Sequence, residues 1–242
     1  MPVSPRERLQ LVLSGELPDR VPVSPFVQDE YLSLYYPQKK TVHRVYDAVD
    51  LSRELGFELI AKPRDFEHPH FLRKSFSNWE LREEREVCDG QILVKRSIET
   101  PARTLTQFQV GPDAGAATAG IQLSTSEYFL KDKEDIEAFI AYMPEIDEET
   151  IAEMKAVTAQ WREALGEDGI AAPWGWCSVF NMVSEYRNIE SLVMDTFDMP
   201  ALYAALLSKL SDQMAVYNAY LAETDVECVG VQGNIANGAM FS

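Results

Sequence analysis

Apolar positions along the chain change period several times, and each change marks a predicted element. Leu9, Val12 and Leu13 fall on one helical face. Ser4 stands as N-cap before them, Pro5 suits the first helical position, and Glu7 is placed to complete a capping box. Gly15 supplies the stop. The run 21–26 then predicts a strand, and Gln28 to Tyr36 an aromatic-rich helix stopped by Pro37. Thr41 is placed to cap a helix with Val42, Val45, Tyr46 and Val49 on one face, ended by Gly56. Residues 57–61 read as a buried strand. Strand, helix, strand is the β-α-β unit of a parallel sheet.

Residues 64–130 break this rhythm. Trp79 to Val87 and Gln91 to Glu99 alternate apolar and polar, with the type I′ hairpin signal Asp89-Gly90 between them. Thr104 to Val110 adds a third strand, and the Gly- and Ala-rich run 111–120 reads as a loop. Asp132 and Asp147 are placed to cap two helices. A short strand follows at 170–172, then helices at 180–186 and 189–197. The longest apolar repeat, Leu202, Leu206, Leu210, Met214, Tyr217 and Leu221, predicts one long helix. A last strand is predicted at 226–231. The expected fold class is therefore α/β, with residues 64–130 an antiparallel hairpin insertion in one domain spanning 1–242.

Charge narrows the partners. The 22 basic and 39 acidic residues give a net charge of −17, which disfavours nucleic acid and anionic membranes. Hydrophobic residues make up 46% of the chain, enough for a sizeable core. No run reaches the about 20 apolar residues of a membrane span, and no signal peptide is visible. Three scattered cysteines, Cys88, Cys177 and Cys228, predict a reducing, cytoplasmic setting without a disulfide framework. His68 and His70 form His-Pro-His with no partner ligands nearby, which reads as a solvated loop and not a metal site. The acidic run 145–149 reads as a helix N-terminus and a solvated face.

Several runs carry a resemblance. "RERLQLVLSGELPDRVPVSPF" resembles the opening of the uroporphyrinogen decarboxylase superfamily, which includes the decarboxylase and the corrinoid-dependent coenzyme M methyltransferases. "APWGWCSVFNMV" resembles its third-strand segment, where a Pro-Trp run lines the porphyrin cleft. "MDTFDMPALYAALLSKLSDQMAVYNAYL" resembles the helix pair that follows, and "VECVGVQGNIANGAMFS" the strand and loop before the second half of the barrel. "DGQILVKRSIETPARTL" looks more like the methyltransferase branch. The resemblance implies the N-terminal portion of a (β/α)8 barrel. Such a barrel needs about 250 residues plus insertions, so this chain is expected to be incomplete, unstable and inactive alone.

Two departures rank the activities. The decarboxylase carries arginines after its first strand that bind substrate carboxylates. Here Pro25 to Tyr31 contains no arginine and two acids. Its aspartate after the second strand is replaced by Ala61-Lys62-Pro63. The resemblance thus implies methyl transfer from a corrinoid, free or on a corrinoid protein, to a thiol, ahead of uroporphyrinogen III decarboxylation. A reading of another class is a non-catalytic binding module or truncated product. Zinc, which activates the thiol in the methyltransferases, belongs to the family's C-terminal half, and no metal ligands are expected in this chain. A homo-oligomer is compatible with all of these readings.

Active sites of such barrels lie at the C-terminal ends of the strands. Residues just past predicted strands are therefore the candidates. Gln28, Asp29, Lys62 and Cys177 are the candidate catalytic groups. Trp174, Trp176, Gln232 and Asn234 are the candidate substrate-binding groups. Each has a plainer reading: Gln28, Asp29, Gln232 and Asn234 as helix caps, Lys62 as a partner of Glu58 or Asp65, Cys177 as a small buried hydrophobe, and the tryptophans as core packing.

Overall fold

Helix α1 (Pro5–Leu13) opens the chain, held at both ends by local bonds. The Ser4 hydroxyl accepts the Glu7 N–H at 3.1 Å. At the other end Gly15 adopts φ 79°, its N–H reaching the Val12 carbonyl and the Glu16 N–H the Leu11 carbonyl. The Ser4 hydroxyl donates to Glu167 at 2.8 Å, and Glu7 returns no side-chain bond to close a capping box. Nor is the predicted stripe the buried face. Leu9 is buried, but Val12 and Leu13 are exposed while Arg6 and Arg8 point inward. Charge explains this. Arg8 grips Asp19 through two bonds, at 2.6 and 2.9 Å, and donates to the fully buried Glu58 at 2.7 Å. Glu58 also pairs with Arg20 and accepts the Val23 N–H at 2.8 Å. Arg6 pairs with Glu227.

The structure is a computed structural model that describes residues 3–63, 65–66, 68–113, 123–175 and 178–230. It is a mixed α/β structure with two sheets. In the first, β1 (Leu59–Ala61) and β6 (Gly169–Ala171) pair in parallel, Leu59 opposite Gly169 and Ala61 opposite Ala171. Only glycine fits at 169, because a Cβ there would lie 2.1 Å from the Leu59 carbonyl oxygen. Residues 21–26 run beside β1 but form no regular strand. Pro22 and Pro25 lack N–H groups, and the Ser24 hydroxyl takes the Ile60 N–H at 3.1 Å where a backbone carbonyl would sit. The predicted strand 226–231 is likewise reduced, within the described residues, to one parallel bridge, Trp174 to Gly230. The Glu227 carboxylate, not a backbone carbonyl, receives the Ala171 N–H at 3.4 Å.

Four helices cover this sheet: α2 (Asp29–Tyr35), α3 (Tyr46–Leu55), α5 (Glu148–Leu165) and α8 (Pro200–Ala222). Leu32, Val45, Leu51, Met154, Trp161 and Leu221 form the core between them. Helix α3 starts later than Thr41 predicts, because the Asp47 carboxylate already accepts the His43 N–H at 2.6 Å and shapes a turn there.

The second sheet is antiparallel, in the order β2 (Glu80–Cys88), β3 (Gln91–Glu99), β4 (Thr104–Pro112), β5 (Ser124–Glu127). Asp89 and Gly90 both take positive φ, as a type I′ hairpin requires. Strand β5 is absent from the sequence expectation. Ile98 and Leu105 face a second core with Phe71, Trp79, Phe139 and Tyr186, covered by α4 (Lys133–Tyr142), α6 (Val179–Ser184), α7 (Ile189–Asp198) and α8. Asp132 and Asp147 cap α4 and α5 as expected.

His70 departs from the solvated-loop expectation. It is 2% exposed, its Nε2 lies 2.9 Å from the Pro144 carbonyl, and its ring meets Phe71 and Phe76 edge to face. In the acidic run, Glu145 is bound by Lys209 and Gln213. Among the described residues, no helix is long and apolar enough to cross a membrane.

Candidate functional site

Each parallel segment ends on the same side, and a small group of side chains meets there. Lys62 follows β1 directly. Its Nζ lies 4.1 Å from the centre of the Trp174 ring and 5.9 Å from that of Phe26. Phe26 ends the first apolar run and Trp174 follows β6. The negative faces of the two rings hold the ammonium electrostatically. Gly230 closes the group from the next segment. A Cβ at that position would stand 2.8 Å from the Trp174 ring and 3.2 Å from Lys62 Nζ, so the strand approaches this closely only as glycine.

Lys62 pairs with neither acid expected of it. Glu58 is occupied by Arg8 and Arg20. Asp65 accepts the Trp161 indole N–H at 3.0 Å and lies 3.6 Å from His43. Burial pushes the Asp65 carboxyl up, but His43 and its other hydrogen bonds outweigh this and hold it below the usual value. Among the described residues, Lys62 has no carboxylate within ion-pair distance. It is thus a half-buried cation with aromatic walls in a strongly acidic chain.

The other candidates divide. Gln28 is exposed at the start of α2 and makes no side-chain cap bond. The Asp29 carboxylate pairs with Arg44 at 3.0 Å, which ties α2 to the turn before α3. Trp176, Cys177, Gln232 and Asn234 lie outside the described residues. Phe26 and Gly230 are additions that sequence reasoning missed. The available signal was positional: both lie at or near the end of a predicted strand, as Lys62 and Trp174 lie just past one. Cys228 is close enough to feel the Lys62 charge, yet burial pushes its thiol up and keeps it protonated.

Among the described residues, no group of three or more His, Cys, Asp or Glu side chains is placed to hold a metal ion. The Arg8–Glu58–Arg20 cluster lies at the opposite, N-terminal end of β1. No protein-family model, no curated protein and no solved structure matches this chain.

Proposed function

We propose that the chain forms the N-terminal portion of a (β/α)8 barrel of the uroporphyrinogen decarboxylase type, with residues 64–130 an antiparallel insertion. Its functional face is the C-terminal end of the parallel strands, and its activity is methyl transfer from a corrinoid to a thiol. One observation carries this reading. Segments 23–24, β1, β6 and 228–230 run parallel and deliver Phe26, Lys62, Trp174 and Gly230 to one place. Two flat rings and a cation without a carboxylate partner among the described residues suit a large planar macrocycle with polar side groups. A bound methyl-corrinoid would supply an electrophilic methyl group, and Phe26, Lys62 and Trp174 would hold its ring for a thiolate acceptor. The chain's residues supply binding and orientation; no step is assigned to a metal held by them.

The arginine-free stretch Pro25 to Tyr31 supports methyl transfer over uroporphyrinogen III decarboxylation. A charge-assisted contact contributes about 1.5–3 kcal/mol, so the absence of two weakens binding of a polycarboxylate by about 3–6 kcal/mol. Titration of the chain with methylcobalamin, followed by tryptophan fluorescence, tests the reading. Saturable quenching that Trp174→Leu and Lys62→Met weaken together is expected. Quenching unchanged in both variants would overturn it.

A further inference from the structure

A second pocket of the described surface shares Phe26 with the Lys62 group. It is a 560 Å³ hollow between the start of α2 and the far end of α3, a size typical of small-ligand sites. Phe26, Tyr31 and Phe57 contribute aromatic walls, and Leu51 and Leu55 of α3 the aliphatic floor and rim. Glu30 is the one acid among the lining residues. Its Oε2 is shielded from water and has no hydrogen-bond partner among the described residues. That leaves a desolvation cost, which a turn of the Glu30 carboxyl toward a donor bound in the hollow would recover.

Aromatic rings beside a lone carboxylate are the chemistry that recognises an organic ammonium. The ring faces attract the cation, and the carboxylate accepts its N–H. Two protein cations already stand near the Phe26 ring, Arg44 at 6.0 Å and Lys62 at 5.9 Å. Arg44 is matched by Asp29 at 3.0 Å, so the Glu30 charge is not spent on it. The net charge of −17 steers cations toward the molecule in general. From these observations we infer that this pocket binds an alkylammonium, its ammonium on Glu30 and its chain against Leu51 and Leu55. This second site does not rest on the methyl-transfer reading, although the Phe26 ring borders both.

Hexylammonium and the neutral 1-hexanol, titrated against the intact chain by calorimetry, test the assignment at both low and high salt. The wild type is expected to prefer hexylammonium by about tenfold, the size of one charge-assisted bond. Glu30→Gln should abolish that preference while leaving hexanol binding intact. Leu55→Arg, which fills the rim with a cation, should exclude hexylammonium, and its melting curve checks that it folds. Equal binding of the two probes, or a preference that survives Glu30→Gln and vanishes with salt, would show only general charge attraction and overturn the site.

Discussion

Glu58 shows how much one side chain organises. It is fully buried, yet it joins Arg8, Arg20 and the Val23 N–H around the N-terminal end of β1. Glu58→Gln keeps the shape and removes the charge, leaving the buried Arg8 with Asp19 alone and Arg20 without this partner. A loss of about 3 kcal/mol is expected, towards the lower end for breaking a buried pair because Arg20 is half exposed. Urea unfolding measures it; a loss under about 1 kcal/mol, as for a surface pair, would contradict the role. His70 gives a second residue-scale outcome. Burial pushes its pKa below the ordinary 6.5, and Arg73 and Lys74 add to this, against the Pro144 carbonyl and Asp147. Its Nδ1 is buried without a partner among the described residues, so a second ring proton meets no acceptor there. The folded state therefore binds this proton less readily than the unfolded chain. Stability is fully present above pH 6.5 and falls as pH drops through the folded value. His70→Gln should flatten that fall between pH 7 and pH 5 in thermal melts, at a general cost in packing.

Helix ends and turns were the elements most legible in the sequence, because their causes are local. Asp147 caps α5 through the Thr150 N–H at 2.8 Å, and Lys74 pairs with the same carboxylate. Asp147→Ala should cost about 1 kcal/mol in chemical denaturation, with Asp147→Asn recovering most of the capping part. Asp89-Gly90 fixed its hairpin for the same local reason. What the sequence hid is set by distant partners. Nothing near Arg6 or Arg8 says that Glu227 and Glu58 will bury them. Nothing in 21–26 says that the Ser24 hydroxyl will replace a ladder carbonyl. The candidate site was half legible. Position after a strand singled out Lys62 and Trp174, but that one would sit on the other depends on three segments meeting. Gln28 and Asp29 satisfied the same positional rule, and α2 turned them to other partners or to solvent.

Across the whole molecule, the small parallel sheet is flanked by apolar residues that nothing described covers. Val21 is 82% and Val23 61% exposed on one flank, and Val229 40% on the other. The antiparallel sheet avoids this at its β2 edge, where Glu80, Arg82, Glu84 and Glu86 present charge. Sheet flanks of the first kind promote association, so the chain should form concentration-dependent oligomers in light scattering. Val21→Lys with Val23→Lys should reduce them; a wild type that stays monomeric at all concentrations would contradict this. The first helix also links distant times as well as distant places. Arg8 closes on Glu58, fifty positions away, whereas Arg6 closes on Glu227, near the end of the described chain. During synthesis the first clasp can fasten as soon as β1 has emerged, but the second must wait until residue 227 has followed. Helix α1 is thus tethered early and locked later, and pulsed hydrogen exchange during refolding should find its amides protected in two steps. Glu227→Gln should erase only the later one.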